Sequence, residues 1–329
     1  MLNIKDIAEM AGVSKSTVSR YLNDGYVSEE KKKIIKKVID KTGFVPLRHA
    51  KGMRSKKTNL IGVIVPKIST ETTSIVLDGI TNILSDKNYE VIIANTNLSI
   101  EKELEYLNMF KANQVDGIIF LATKISEKHI KILSKIKVPI VIVAQNVDNY
   151  NCVYYDDYNA SVECVNYLIN KGYKKIAFIG VCDEDIAVGF NRKKGYLDTL
   201  KENNMYINND FIKIGNFSYN DGYKFANELI NLDNKPDSIF VVTDSLALGV
   251  IQCLNENNIK IPRDMAVISI GDLKISNFIT PKLTTVHYFY YESGEESAKI
   301  LLNLLENEID IGCVQNIKLG YKLIERETV

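Results

Sequence analysis

Residues 4–23 read IKDIAEMAGVSKSTVSRYLN and decide the fold of the N-terminal segment. The first apolar residues recur at the spacing of one helix face, and they are Ile4, Ile7, Ala8 and Ala11. Gly12 readily adopts left-handed backbone, and Ser14 can cap a second helix from about Lys15 to Leu22. Val18 lies on the face of that helix that would pack against the first. The stretch therefore predicts two helices joined by a tight turn, as in a helix-turn-helix.

A third helix is predicted to begin after Ser28. Glu29 and Glu30 would lie in its first turn, where acidic side chains stabilise the helix dipole, and Gly43 would end it. Its inner face is expected to comprise Ile34, Ile35, Val38 and Ile39. Residues 1–58 are therefore expected to form a small three-helix module.

The net charge of the chain is the sum of opposite charges on two segments. The 329 residues hold 41 Lys and Arg and 41 Asp and Glu, a net charge of zero. Residues 1–58 hold 14 basic and 6 acidic residues, so they carry +8, and residues 59–329 carry −8. A basic segment of this kind indicates a module that meets a polyanion. The alternative is a basic helix surface that only faces water.

Composition places the chain among folded globular proteins, with 46% hydrophobic and 25% charged residues. No apolar run approaches the ~18–20 residues of a membrane span, and the N-terminus lacks the layout of a signal peptide. The five cysteines are scattered, which disfavours zinc sites and disulfide frameworks. We therefore expect a cytoplasmic protein, associated with the nucleoid when it binds DNA, that holds no metal, needs no cofactor and enters no membrane.

The outer face of the second helix carries short or basic hydrogen-bonding side chains. Its N-terminal residues would read base edges in the major groove, and they are Lys15, Ser16 and Thr17. Groups that follow would hold phosphates and set the register, and they are Ser19, Arg20, Asn23 and Tyr26. A packing module with a polar surface is the alternative. The agreement of turn geometry, polar face and positive charge favours DNA binding.

The pattern DIAxxAGVSxxTVSRxLN within residues 4–23 resembles the headpiece of the lactose-repressor (LacI/GalR) family of bacterial transcription regulators. The resemblance implies that a hinge at about 44–58 follows and enters the minor groove. Its DNA contacts would come from Arg48, Ala50 and Met53, with Met53 in place of the leucine that wedges between base pairs in the family. Gly52 weakens a helix there, so the alternative is a flexible linker when DNA is absent.

Residues 59–329 alternate apolar runs with amphipathic stretches. The runs predict strands at Leu60–Val65, Val91–Ala94, Gly117–Leu121, Ile140–Val143, Ile176–Ile179, Phe211–Ile214, Ser238–Val242, Ala266–Ile270 and Thr284–Val286. The amphipathic stretches predict helices at Ile75–Leu84, Ile100–Phe110, His129–Ile136, Ala160–Ile169, Arg192–Leu200, Gly222–Leu232, Leu246–Asn255 and Glu292–Leu305. Apolar strands that alternate with helices indicate an α/β fold with covered parallel sheets. About 270 residues favour two doubly wound lobes over one sheet.

The order of these elements is similar to the periplasmic-binding-protein-like core of the same family. The resemblance implies three crossings between the lobes, which we expect near 157–160, 287–290 and 317–321. The N-lobe would span about 60–157 and 288–318, and the C-lobe about 158–287 and 319–329. It also implies a homodimer. Because no heptad repeat follows the last predicted strand, we do not expect a tetramer built on a C-terminal coiled coil.

Ligands of doubly wound sheets bind beyond the carboxyl ends of the strands. The side chains expected there are Gln145, Phe190, Arg192, Phe217, Asp244, Asp272 and Tyr288. Bidentate polar groups and aromatic rings suit a sugar. The family resemblance implies effector contacts for Arg192 and Phe217. Gly271 replaces a sugar-binding aspartate of the family, and the small polar residues within 66–74 favour a disaccharide such as sucrose, trehalose or a β-glucoside.

An enzyme needs a catalytic constellation, and the sequence offers none of the GxGxxG, GxxxxGK[ST], GxSxG or HExxH patterns. The adjacent Asp156 and Asp157 are expected to point apart and to cap the following helix. A secreted sugar-binding protein would lack the headpiece. We therefore predict a repressor of a sugar-utilisation operon that an inducer releases from its operator. The alternative is a global or corepressor-type regulator that responds to a phosphocarrier protein or to a ligand other than a sugar.

Overall fold

The computed structural model describes residues 2–22, 25–44, 57–112, 115–306 and 314–329. The chain divides into two units, Met1–Thr58 and Asn59–Val329. The predicted DNA contacts of Asn23, Arg48, Ala50 and Met53 lie outside the described residues, so they stay predictions. None of the described helices is long and apolar enough to cross a bilayer.

The first unit contains helices α1 (Ile4–Met10), α2 (Lys15–Leu22) and α3 (Glu29–Thr42). Asn3 begins α1, because its side chain accepts from two backbone N–H groups while the Asp6 carboxylate accepts from the Asn3 N–H at 2.8 Å. Ser14 begins α2, since its hydroxyl accepts from the Thr17 N–H at 3.2 Å. Gly43 ends α3 in the left-handed region, with φ of 62°.

The core of this unit is built around one fully buried residue from each helix, Ile7, Val18 and Ile35. One predicted member of the inner face is wrong. Ile34 is 42% exposed, because consecutive helical residues are about 100° apart and Ile35 already occupies the centre of the contact. The packed face of α3 therefore comprises Ile35, Val38 and Ile39.

The second unit alternates strands and helices. Its strands are β1 (Leu60–Val65), β2 (Glu90–Asn95), β3 (Gly117–Leu121), β4 (Ile140–Val143), β5 (Asn151–Tyr155), β6 (Ile176–Val181), β7 (Ile212–Gly215), β8 (Ser238–Val241), β9 (Ala266–Gly271), β10 (Thr284–Tyr288), β11 (Asn316–Leu319) and β12 (Tyr321–Ile324). Its helices are α4 (Glu71–Asp86), α5 (Ile100–Ala112), α6 (Glu127–Leu133), α7 (Asp157–Asn170), α8 (Arg192–Glu202), α9 (Tyr219–Ile230), α10 (Asp244–Glu256) and α11 (Tyr290–Leu305). A π-helical segment, Ile186–Asn191, leads into α8.

These strands form two sheets. The first has the order β11-β5-β4-β3-β1-β2, and the second has the order β12-β10-β9-β8-β6-β7. Every pairing is parallel except that of β10 with β12. Within the described residues the chain passes between the sheets after β5, after β10 and after β11. Each sheet with its helices forms one lobe, and α11 packs on α4 in the first lobe.

In each lobe one helix pair is in close contact through glycine. A Cβ on Gly294 of α11 would overlap the carbonyl oxygen of Val76, and a Cβ on Gly79 of α4 would overlap that of Tyr291. The second lobe repeats the arrangement with Gly222 of α9 and Gly249 of α10. The backbones touch at these crossings, so each of these helix pairs leaves no room for a side chain at the glycine positions.

We expect Gly294→Ala to lower the free energy of unfolding by about 1–3 kcal/mol, because the added methyl group forces two helix backbones apart. Urea unfolding followed by circular dichroism measures the change. Gly320→Ala is the matched control, since a Cβ there meets nothing within 4 Å. Equal stability of the two variants would contradict the account of the helix contact.

Candidate functional site

The solvent-facing side of α2 carries the polar residues predicted to meet DNA. Lys15, Ser16 and Arg20 are exposed, and Thr17 and Ser19 are partly exposed. The Ser14 hydroxyl lies 2.8 Å from the hydroxyls of both Ser16 and Thr17, which links the start of the helix into one hydrogen-bonded group. Tyr26 is 89% exposed after the helix. Every predicted headpiece contact that the structure describes is thus available to a partner.

A cavity of about 660 Å³ lies between the two lobes of the second unit. Its wall comes from residues that follow β1, β3 and β4 in the first lobe and β6, β7, β8 and β9 in the second. Parallel strands direct their carboxyl ends to one edge of a sheet, so the edges of both sheets meet at this cavity. The volume lies within the range of small-molecule sites.

The cavity wall includes some of the predicted effector residues and leaves others out. The residues that line it are Gln145, Arg192, Phe217 and Asp244. Within the described chain, three predicted residues do not form part of this wall, namely Phe190, Asp272 and Tyr288. Position after a strand identified the right edge of the sheet but not the direction of each side chain.

Tyr288 is a core residue that does not line the cavity. Its ring is fully buried and stacks on the Tyr155 ring at a centroid distance of 4.8 Å. Its hydroxyl donates to Asp157 Oδ1 at 3.1 Å. Burial raises the pKa of Tyr288 well above its usual range. The side chain therefore packs beneath the cavity and supports a residue of its wall.

Asp272 and Phe190 are also placed elsewhere. The Asp272 carboxylate accepts from Arg326 Nη2 at 2.6 Å and lies 2.9 Å from His287 Nδ1. Its backbone is left-handed, with φ of 51°. These two partners engage the carboxylate away from the cavity. Phe190 belongs to the π-helical segment and is 44% exposed.

Arg192 lines the cavity as one half of a buried ion pair. The side chain is 4% exposed, and its Nε and Nη2 atoms donate to Asp157 Oδ1 at 2.7 and 2.6 Å. Nη1 donates to the Val242 carbonyl oxygen, and the guanidinium lies 5.3 Å from the Tyr288 ring centroid. Burial is the largest influence and disfavours the guanidinium charge, but Asp157, Tyr288 and Tyr290 together outweigh it and raise the pKa of Arg192.

The adjacent Asp156 and Asp157 point apart, as the sequence predicts. Asp156 accepts from Lys318 Nζ and from the Asn159 side chain, each at 2.8 Å. Asp156 occupies the N-cap position of α7, as the sequence predicts, but its side chain makes no cap hydrogen bond to the helix. Each carboxylate instead ties α7 to a different part of the second unit.

Asp244 holds the wall of the cavity together. Its Oδ1 accepts from the hydroxyls of Ser269 and Thr285 at 2.5 and 2.6 Å. Its Oδ2 accepts from the Leu273 N–H at 2.8 Å and from the Ser276 hydroxyl at 2.6 Å. Four donors satisfy this buried carboxylate, so Asp244 fixes β9, β10 and the turn after β9 around the site.

Polar contacts cross from lobe to lobe at the cavity. Gln145 Nε2 donates to Asp185 Oδ1 at 2.9 Å, and Lys124 Nζ pairs with Glu184 Oε2 at 2.6 Å. The Lys274 N–H donates to Glu71 Oε1 at 2.9 Å. The sequence reasoning missed Asp185, whose position four residues after β6 was the available signal. It also missed the lining rings of Tyr219 and Tyr290.

The part of the chain that the structure describes contains no group of three or more His, Cys, Asp or Glu residues arranged to hold a metal ion. The cavity wall combines aromatic rings with amide, hydroxyl and carboxylate groups. Such a wall binds a polar organic molecule through hydrogen bonds and ring contacts.

Comparison with known proteins agrees with both units. Residues 3–46 match the family model described as bacterial regulatory proteins of the lacI family, and residues 165–329 match a periplasmic binding protein-like domain. The chain is 32% identical to the sucrose operon repressor of Staphylococcus xylosus, over 94% of this chain and 95% of that protein. It is 33% identical to catabolite control protein A of Priestia megaterium, over 95% and 96%. The chain belongs to the LacI family.

Solved structures show the same fold. The Lac repressor dimer bound to operator and the anti-inducer ONPF superposes with a TM-score of 0.85 at 22% identity, over 99% of this chain and 98% of that one. A complex of the regulator CelR with cellobiose has a TM-score of 0.77 at 22% identity, with full coverage of both chains. The headpiece and the two-lobed α/β core predicted from the sequence are thereby confirmed. The relative from Staphylococcus xylosus is by name an operon repressor, which agrees with the prediction of a LacI-family repressor.

We expect Asp157→Asn to lower the free energy of unfolding by about 3–5 kcal/mol, because it leaves the buried Arg192 charge without its carboxylate. Asp198→Asn is the matched control, since Asp198 pairs with Lys194 at 2.6 Å on an exposed helix face and should cost below about 1 kcal/mol. Urea unfolding of the full chain compares the two. A similar decrease in the free energy of unfolding of both variants would contradict a larger contribution from the buried Asp157–Arg192 pair than from an exposed pair.

Proposed function

We propose that this protein represses transcription by binding operator DNA through α2 and leaves the operator when a sugar occupies the cavity between the lobes. The observation that carries the proposal is the cavity of about 660 Å³ at the meeting edges of both sheets, in a chain that also has a basic helix-turn-helix. The names of relatives support it. One is a sucrose operon repressor, and a regulator from Enterococcus faecium, 26% identical with a TM-score of 0.72, is described with bound ribose.

The DNA contacts are proposed for the exposed face of α2. Lys15, Ser16 and Thr17 occupy its first turn, which enters the major groove in helix-turn-helix proteins. Arg20 and Ser19 follow on the same helix and would hold phosphates. Two copies in a homodimer would read two half-sites of a pseudo-palindromic operator. The net charge of +8 on residues 1–58 supplies the attraction for DNA.

The sugar contacts are proposed for the second lobe. Phe217 and Tyr219 both line the cavity and are more than a third exposed, so their rings are free to stack on the C–H face of a sugar. Small polar residues of the first lobe also line the cavity and can hydrogen-bond to hydroxyl groups, and they are Ser69, Thr70, Thr72 and Thr73. The volume and the polar lining favour a disaccharide.

The two sites are proposed to be linked through the relation between the lobes. A ligand that contacts both lobes favours one arrangement of them over another. If that arrangement binds operator less well, operator and sugar weaken each other by the same factor. The similarity to catabolite control protein A supports a second candidate, a global or corepressor-type regulator of the same family that responds to a phosphocarrier protein or to a ligand other than a sugar.

We expect Lys15→Ala and Arg20→Ala each to weaken operator binding, and Arg20→Ala to reduce the slope of log affinity against log salt by about 1, because one phosphate contact is lost. Fluorescence anisotropy on an operator selected from a random library measures both quantities at several salt concentrations. Lys299→Ala removes a positive charge from the surface of the second unit and should leave the operator affinity and its salt dependence unchanged. Unchanged binding by the α2 variants would contradict the proposed DNA face.

We expect Phe217→Ala to weaken sugar binding by at least about 10-fold, because a stacking ring is lost, and to leave operator binding without sugar intact. A thermal-shift screen of mono- and disaccharides identifies the ligand, and calorimetry measures the change. Tyr206→Ala is the control, since this ring is 85% exposed and does not line the cavity. Arg192→Ala is less informative, because it leaves the buried Asp157 carboxylate without its charged partner and so changes stability as well as binding. Unaltered sugar affinity in Phe217→Ala would contradict the proposed site.

A further inference from the structure

The charges in the cavity wall are unbalanced. The Lys, Arg, Asp and Glu residues among the described residues that line it are Lys67, Glu71, Asp157, Asp185, Arg192 and Asp244. Three carboxylates and one guanidinium of this set are buried, since Lys67 is exposed and Glu71 is only partly buried. The wall therefore carries an excess of negative charge on the side where water is excluded.

The single buried cation is already paired. Two nitrogens of Arg192 donate to Asp157 Oδ1, and the third donates to the Val242 carbonyl oxygen. Its positive charge is thus neutralised by a carboxylate that touches it. An anionic ligand would have to compete with Asp157 for this guanidinium, at a distance where the two negative charges repel each other.

The other two buried carboxylates have uncharged hydrogen-bond partners. Asp244 accepts from three hydroxyls and one backbone N–H. Asp185 accepts from the Val188 N–H at 3.0 Å and from the Gln145 amide at 2.9 Å. Neutral donors hold a carboxylate in place without cancelling its charge. Both residues therefore contribute negative potential to the cavity.

One carboxylate oxygen of Asp185 can accept a hydrogen bond from a ligand. Both hydrogen bonds that the described residues make to it end at Oδ1, so Oδ2 is the acceptor left for a ligand. Burial raises the pKa of this carboxyl, as expected of an acidic group in a poorly hydrated wall. A ligand hydroxyl can donate to such an oxygen in a charge-assisted hydrogen bond, whereas a dianionic phosphate group has no proton to donate.

We propose that this cavity selects an uncharged polyhydroxyl ligand against its phosphorylated derivatives, and that Asp185 is the residue that sets the selection by accepting a ligand hydroxyl. The proposal rests on the proposed function in that the cavity is the effector site. It adds the charge class of the effector and a residue that determines it. The phosphorylated form of a sugar would then leave the repressor on its operator.

Pairs of compounds that differ only in a phosphate group test, in the full-length protein, whether the cavity prefers uncharged ligands. The panel contains sucrose, trehalose and cellobiose, each beside its 6-phosphate, and nucleosides beside their 5′-monophosphates, with calorimetry for every compound that shifts the melting temperature. We expect the uncharged member of the binding pair to bind at least ~10-fold more tightly, which corresponds to ~1.4 kcal/mol. A phosphorylated member that binds as tightly as its partner would overturn the selection and leave a sugar-responsive repressor standing. Tighter binding of a nucleoside than of its nucleotide, with no response to sugars, would support the selection and contradict the sugar proposal.

Asp185→Asn keeps the shape of the side chain and removes its charge. We expect the ratio of the two dissociation constants to fall below about 3-fold in this variant, because the repulsion of the phosphate is relieved. Asp183→Asn is the control, since Asp183 is half-exposed, pairs with Lys193 at 2.8 Å and does not line the cavity, and it should keep the wild-type ratio. An unchanged ratio in Asp185→Asn, with a wild-type melting temperature to show that the variant folds, would remove Asp185 from the proposal. The wild-type ratio tests the charge selection independently of either variant.

Discussion

The buried pair of Asp157 and Arg192 is the interaction on which the ligand cavity depends. Asp157 opens α7 directly after the first passage between the sheets, and Arg192 opens α8 beside the cavity. Tyr288, which ends β10 just before the second passage, donates to the same carboxylate. Asp156 beside it reaches Lys318 of β11, just before the third. Two neighbouring carboxylates thus connect all three passages, and a buried charge pair tolerates little displacement because either partner alone is costly to bury.

The packing within each lobe differs from the contacts between the lobes. The glycine-mediated helix contacts make each lobe a closely packed body. Between the lobes lie the cavity, the anchored passages, and the polar contacts Gln145–Asp185 and Lys124–Glu184. Polar contacts at a cavity rim exchange readily for contacts to a ligand or to water. A ligand therefore acts most easily on the relation between the lobes, as in closure about a hinge.

Much of the fold was predictable because its signals are local. The spacing of Ile4, Ile7 and Ala8 and the cap at Ser14 define the headpiece helices, and apolar runs such as Leu60–Val65 define the central strands. The strands β11 and β12 were missed because their faces are only partly buried, so their residues alternate without a continuous apolar run. The strand β5 was also missed, although three of its five residues are buried. The cavity residues Gln145, Arg192, Phe217 and Asp244 follow from the rule that ligands bind after parallel strands. The rule cannot give side-chain direction, which tertiary partners set, so Tyr288 and Asp272 lie outside the cavity wall, whereas Asp185, which was not predicted, lies in it.

Sugar binding in the cavity and operator binding by the headpiece are proposed to be linked. Operator affinity with and without a saturating sugar, measured together with sugar affinity with and without operator in one buffer, checks this linkage. We expect sugar to weaken operator binding by at least about 10-fold and operator to weaken sugar binding by the same factor, because linkage is reciprocal. Operator affinity that is unchanged or strengthened by a sugar shown to occupy the cavity would contradict it.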